Sequence, residues 1–379
     1  MKRWEAGAAA LASTLLVVSC SKTTASSQQS STKSPGIGTT SSSSEPVAFS
    51  PGDLTVGPDG AVYASDCVGG YVFRVDPNGA VHVIAGIGIS SPNGGISKDG
   101  VPATEAELDC PAGLAFDARG DLLIADHANN RIRLIDAKGV ISTIAGNGPV
   151  GTAPEGGPMT GDGGPAAEAS LQEPVGIQFD ANGNLLIADR DDHAVRRIDR
   201  KGDLSTIAGT GKQSYTGDGG AATKAAFVSP VYVVPDSRGN LYVSDDEAQV
   251  IRIIDPSGVI TTFAGTGKSG YSGDGGLATK ATFSSPEGLA FDRSGNLYVA
   301  DLSNHVVRMI DPTGTITTFA GTGQAGCAAD GRPANKAKLS DPSGLALDGR
   351  GDLFVADGTC GIVRIDRKGV LTIIAPAVV

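Results

Sequence analysis

"PEGLAFDRSGNLYVADLSNHVVRMIDPTGTITTFAG" occupies residues 286–321, and its reading decides the fold. Four short runs, "GLAFD", "NLYVAD", "HVVRMID" and "TITTFAG", are rich in apolar, β-branched and aromatic residues, which predicts four strands. The joints "DRSGN" and "DPTG" each offer an Asp to open a hairpin turn and a Gly to take a positive φ at little cost. The stretch therefore reads as one four-stranded antiparallel unit.

The same pattern starts near residues 51, 111, 174, 230, 286 and 342. Nine residues separate the first turn position from the closing Asp in every unit, from Gly57 to Asp66 through Asp348 to Asp357. Six copies of a four-stranded unit predict an all-β chain folded as a six-bladed β-propeller, with long Gly-rich connectors between blades. Both end units are complete, so the ring is expected to close blade against blade.

The pattern P-x-G-L-A-F-D, then G-N-L-Y-V-A-D, then N-H-x-V-R-x-I-D resembles the NHL repeat. Its name-giving stretch stands here as "LSNHVVRMID", and as "RDDHAVRRID" in the third unit. The connectors, such as "GTGKSGYSGDGGLATKA", look like those of bacterial and teneurin-type NHL propellers. The resemblance covers residues 51–379. It departs in the first unit, which lacks the Asn-His pair, and in the sixth, which is one residue short. NHL propellers are functionally diverse, so the resemblance implies a fold more than a function.

What precedes the repeats is of another kind. Residues 1–19 join Lys2 and Arg3 to an apolar run too short to span a bilayer, as in a secretory signal. Val17-Val18-Ser19-Cys20 resembles a bacterial lipobox, which implies cleavage before Cys20 and its lipidation. Residues 20–45 are dominated by Ser and Thr, bury too little apolar area to fold, and read as a disordered tether. The propeller is assigned to residues 46–379, and the protein is expected outside the cytoplasm, anchored in the bacterial cell envelope by lipid. With 30 basic and 41 acidic residues the net charge is −11, which disfavours nucleic acid as a partner.

If the first strand of each unit descends, the loops after its second strand and the long connectors share one face, called the top face below. Each of the five connectors carries an Asp (Asp99, Asp162, Asp218, Asp274, Asp330) just before a short helix-forming stretch, where it is expected to satisfy turn or helix-start amides. A phosphate-binding loop needs a long following helix and a Lys after its last Gly, and neither is present. The turns also lack the carboxylate density of a dedicated calcium loop. No cofactor is expected, with structural calcium at these turns as the alternative. A His₃ zinc site is not expected either, because the top-face imidazoles come one from each of three blades.

No catalytic constellation is assignable. His193 and His305 share one repeat position and read as structural, while the aspartates that end the second strands read as turn caps. Variable loops on a rigid scaffold are where binding resides. The candidate contacts are His127, Asn130, Arg190, Asp192, Tyr232, Glu247, Glu287 and His305. Tyr232 and Glu287 break the small-residue habit of the inner rim. The reading is a binding scaffold for an envelope protein, peptide or glycan; the alternative is a metal-dependent lyase or lactonase-like enzyme using the central channel. Four cysteines remain, Cys67, Cys110, Cys327 and Cys360. All are placed on the top face near the ring's closure, and an exported chain pairs them. The local pairs Cys67–Cys110 and Cys327–Cys360 are preferred, with Cys67–Cys360 as the rival.

Overall fold

The computed structural model describes residues 49–88, 99–147, 159–327 and 330–377. The expected signal, Cys20 and the expected tether lie outside the described residues. The fifth unit shows how each blade is made. Strands a to d, counted outward from the axis, are Pro286–Phe291, Leu297–Asp301, Val306–Ile310 and Ile316–Ala320. They pair antiparallel, with Leu289 opposite Val299, Leu297 opposite Ile310, and Ile310 opposite Ile316. Asp292 builds the first hairpin, its Oδ1 accepting from the amides of Ser294 (2.8 Å) and Asn296 (2.9 Å). Gly295 completes it at φ 85°, a conformation that costs glycine little.

The other strands a to d follow in chain order. Blade 1 is Leu54–Val56, Val62–Asp66, Tyr71–Val75 and Val81–Ala85; blade 2 is Pro111–Phe116, Leu122–Asp126, Arg131–Ile135 and Val140–Ala145. Blade 3 is Pro174–Phe179, Leu185–Asp189, Ala194–Ile198 and Leu204–Gly209; blade 4 is Pro230–Pro235, Leu241–Asp245, Val250–Ile254 and Val259–Ala264. Blade 6 is Pro342–Leu347, Leu353–Asp357, Gly361–Ile365 and Val370–Pro376. Blades 2, 4 and 6 gain a fifth strand of two residues from the incoming connector, at Val101–Pro102, Gly220–Ala221 and Arg332–Pro333. In blades 3 and 5 the connector makes a single bridge, Pro165 with Asp203 and Leu277 with Thr315. The connectors thus cover outer edges that would otherwise offer unpaired amides to other chains.

The helix-forming stretch of each connector is one 3-10 turn, such as Ala278–Lys280. Its alanines and the following Phe283 are fully buried and fill the gap between blades 4 and 5. The connector aspartates do not cap these turns, which have no side-chain cap. They bind arginines instead. Arg308, in strand c of blade 5, is fully buried. It donates to Asp274 (2.7 Å), Asp301 (3.4 Å) and the Ser272 carbonyl (3.1 Å). Its guanidinium lies between the rings of Tyr271 and Phe283, 5.2 and 5.6 Å from their centroids. Arg252 repeats this with Asp218 at 2.6 Å and with Tyr215 and Phe227. Arg196 pairs with Asp162, and Arg133 with Asp99. Blades 1 and 6 place Phe73 and Val363 at this register position. There Asp330 accepts from the Ile373 amide instead. The correction has a physical reason: a buried guanidinium needs an anion, and the connector brings one across its path.

The aspartates that end strand b do satisfy turn amides. Asp245 accepts from Val228 and Ser229, Asp301 from Ser284, and Asp357 from Ser340 and Asp341. Closure is blade against blade. Phe49, Leu54, Ala64 and Phe73 of the first pack with Phe354, Ala356 and Ile362 of the last. Ser50 Oγ donates to Gly358 O (2.8 Å) and Ser343 Oγ to Gly52 O (2.6 Å) across the seam. The disulfides are Cys67–Cys110 and Cys327–Cys360, with sequence separations of 43 and 33. The rival Cys67–Cys360 bond is not formed. Each loop closed this way is worth about 3–4 kcal/mol in the chain-entropy account.

Candidate functional site

Six strands a enter the ring from the top face, and their third positions meet at the axis. Four are glycines: Gly113, Gly176, Gly288 and Gly344. A Cβ on Gly344 would lie 2.6 Å from Asp53 Oδ1, and one on Gly176 2.6 Å from the Val231 carbonyl. The axis is crowded because the other two positions carry Asp53 and Tyr232, from blades 1 and 4, which are opposite in a six-membered ring. Their side chains lie near one another at the axis, and Asp53 Oδ2 accepts from the Leu114 amide at 3.1 Å. Burial raises the Asp53 carboxyl to about 6. Burial, with Asp53 beside it, holds the Tyr232 phenol well above its ordinary range.

Above this pair lies a mouth built from loops. Glu287, the second residue of strand a in blade 5, faces it half-buried. Burial, together with Asp246, Asp53 and Asp341, pushes its carboxyl up to about 8 against the opposing effect of Arg190. Glu287 is therefore mostly protonated at neutral pH. Burial raises Asp246 to about 6. Arg190, from the loop of blade 3, pairs with Glu173 and with Asp191 (3.1 Å). His127 lies 3.4 Å from Glu173, and its Nδ1 donates to the Pro174 carbonyl at 3.3 Å. Burial and Arg190 hold its imidazole down to about 4. It is neutral at pH 7, and Arg190 is the cation that balances Glu173.

The expected contacts separate into two groups. His127, Arg190, Tyr232 and Glu287 gather at the mouth and axis, and Glu247 stands exposed beside Asp246. Asn130, Asp192 and His305 are instead engaged by the framework. Asn130 and His305 hold the left-handed position that ends the loop, with φ 56° and 57°. From there each reaches the entry of the next blade. Asn130 Oδ1 accepts from the Glu173 amide (2.8 Å), Gln249 does the same for Ser285 (2.8 Å), and His305 Nδ1 donates to the Ser340 carbonyl. These are blade-to-blade latches. Asp192 is buried against Arg196 at 3.3 Å.

Glu173, Asp246 and Asp341 escaped the sequence reading. Glu173 and Asp341 do break their repeat position, standing where Ser50, Ser229 and Ser285 stand in other units, whereas the position of Asp246 differs in every unit. Their convergence with Glu287 depends on which loops adjoin at the axis. Among the described residues no three His, Cys, Asp or Glu side chains are grouped to hold a metal ion, so the donors present do not fit one.

Comparison with known proteins agrees with this architecture. The teneurin NHL domain model matches residues 266–328, and the NHL repeat model matches residues 108–133. NHL repeat-containing protein 2 of Bos taurus is 31% identical over 301 residues, covering 71% of this chain and 40% of that protein. The chain thus spans well under half the length of this relative. Among solved structures, an auxiliary nutrient binding protein from Bacteroides thetaiotaomicron is similar with a TM-score of 0.56 and 16% identity, over 82% of this chain and 67% of that one. A streptogramin B lyase is similar with a TM-score of 0.51 and 16% identity, over 87% and 83%. At such identities the likeness concerns the fold.

Proposed function

Because the chain is an NHL-repeat β-propeller, we propose that it is a lipid-anchored, extracytoplasmic binding scaffold that takes an envelope protein, peptide or glycan on its top face. One observation carries the reading. The loops that vary between repeats share one face, where Glu287 lies within electrostatic reach of Asp246, Asp53 and Arg190, while the rest of each blade repeats. Clustered carboxyls with perturbed pKa values mark functional positions. Two disulfides support an oxidising compartment, and Val17-Val18-Ser19-Cys20 supports the anchor.

The test is retention of envelope ligands on the immobilised protein. Glu287→Lys combined with Glu247→Lys is expected to abolish retention, whereas Thr313→Lys on the opposite face leaves it intact. Equal retention by all three proteins overturns the reading. Separately, Cys20→Ser is expected to move the protein out of the membrane fraction, and unchanged membrane association removes the anchor from the proposal.

A second reading, catalysis at the mouth, is favoured by the protonated state of Glu287 at neutral pH. A carboxylic acid poised near 8 is suited to donate a proton. The metal-dependent form of this reading has no support in the donor set. Loss of turnover in Glu287→Gln, with ligand binding retained, would establish catalysis over binding alone.

A further inference from the structure

In blades 2 to 6 a connector glycine donates its amide to the outer side of strand d. Gly100 bonds Ile141 O and Gly331 bonds Leu371 O at 2.9 Å; Gly163, Gly219 and Gly275 bond Leu204 O, Ile260 O and Ile316 O at 2.8 Å. Those five acceptor residues are fully buried. Val81 holds the same register in blade 1 and is 44% exposed. Among the described residues nothing pairs with the outer side of Val81–Ala85. We infer that this edge is a docking site for an extended, neutral or basic segment of another polypeptide, which adds a fifth strand to blade 1.

The covered blades show which backbone groups face outward. Ile316 gives its carbonyl to Gly275 and its amide to Gly276 O (3.0 Å), and Thr318 turns its amide to Asp274 (3.1 Å). By the same register Val81 presents an amide and a carbonyl, and Val83 an amide. Such a row of backbone groups is what an added strand recognises. The turn below narrows the gap between blades. A Cβ on Gly79 would lie 3.2 Å from the Ile374 carbonyl of blade 6, whereas Gly139, Gly202, Gly258, Gly314 and Gly369 have nothing within 4 Å. The added strand therefore runs along the edge from Val81 and does not enter the gap.

The residues before blade 1 are not of the connector kind. Thr39, Thr40, Ser43, Pro46 and Ala48 stand where all five connectors carry Asp, Gly, Ala, Ala and then Leu or Phe. A second copy of the chain fits poorly too. Two such edges would join five residues to five, against about 20–30 a side in a stable interface. Charge narrows the class of partner further. Beside the edge Asp59 and Asp76 share the single guanidinium of Arg74, and the whole chain carries −11. An acidic segment is repelled by this field, and a neutral or basic one is not.

The probe is the blade 5 connector as a free peptide, residues 273–284 (GDGGLATKATFS), which within the chain makes the bonds described. Fluorescein-labelled, it is titrated against the purified full chain by fluorescence anisotropy, and one saturable site is expected. In the free chain the Val81 and Val83 amides are expected to exchange with solvent rapidly, and about tenfold more slowly at saturating peptide. Val81→Pro removes an outward amide at the first residue of the strand, where proline is tolerated; Val81→Lys puts a charge on the edge. Each is expected to weaken binding about tenfold with an unchanged melting curve. N-methylation of Gly275 in the peptide deletes the donor to Val81 O and is expected to weaken binding about fivefold. Absence of saturable binding overturns the inference, as does equal binding by both Val81 variants. Slow exchange of the two amides in the free chain also overturns it: a monomer by size exclusion then means cover by the chain's own residues, and a dimer means cover by a second copy.

Discussion

Glu287 is the residue on which the electrostatics of the mouth turns. Its carboxyl is raised from an ordinary 4.5 to about 8, and Asp245, in the same ring, is raised to about 7. Burial is the largest cause in both cases. A carboxyl raised in the folded state stabilises the fold fully below its unfolded pKa, and that contribution is lost as pH climbs through the folded value. Asp53, Asp126, Asp246 and Asp301, each near 6, act in the same direction. The turn aspartates act oppositely, at acid pH: Asp136, Asp199 and Asp366 are lowered chiefly by backbone amides, and Asp255 and Asp311 chiefly by the hydroxyls of Ser257 and Thr313. Thermal stability is therefore expected to fall from pH 5 to pH 9. Glu287→Gln, which mimics the protonated acid, flattens the part of that fall between pH 7 and pH 9. Parallel melting curves for the two proteins across that window would contradict the assignment. Glu287 and Tyr232 were legible in the sequence because each interrupts a run of small residues at its own repeat position, the second and the third of strand a. Asn130 and His305 misled for the opposite reason. A polar residue at a loop tip reads as available, and only the fold shows it bonded to the entry of the next blade.

At the scale of elements, strands and hairpins were legible because their chemistry is local: an Asp at the first turn position, a Gly three residues on, and alternating apolar residues between. The connectors were legible as turns but not in their role. Asp274 and Arg308 are 34 residues apart, so no local rule links them. What the sequence does hold is a recurrence: an arginine at the third position of strand c in blades 2 to 5, and an aspartate in every connector that precedes one. Removing one partner of a buried pair costs about 3–5 kcal/mol, mostly because the other charge is left uncompensated. Arg308→Val is expected at the low end, about 3 kcal/mol. In blade 6, where Val363 stands at that position, Asp357 is satisfied by backbone amides alone. Asp274→Asn removes only the half-exposed partner and is expected to cost about 1 kcal/mol. Chemical denaturation of the two variants checks the order, and a larger loss for Asp274→Asn would contradict the clasp described here.

Over the whole molecule, six near-identical blades provide a rigid ring, and difference is confined to the top-face loops and the axis. The seam between blades 1 and 6 is held by apolar packing and two serine hydroxyls. The disulfides secure the connectors beside it rather than crossing it. This division between a repeated frame and a varied face is the central claim, and site-specific photocrosslinking tests it most directly. Benzoylphenylalanine placed at Glu247 or Ser303, both exposed in top-face loops, is expected to trap an envelope ligand in intact cells. The same group at Thr313, exposed in a turn on the opposite face, is expected to trap none. An adduct from position 313, with none from 247 or 303, would contradict the account.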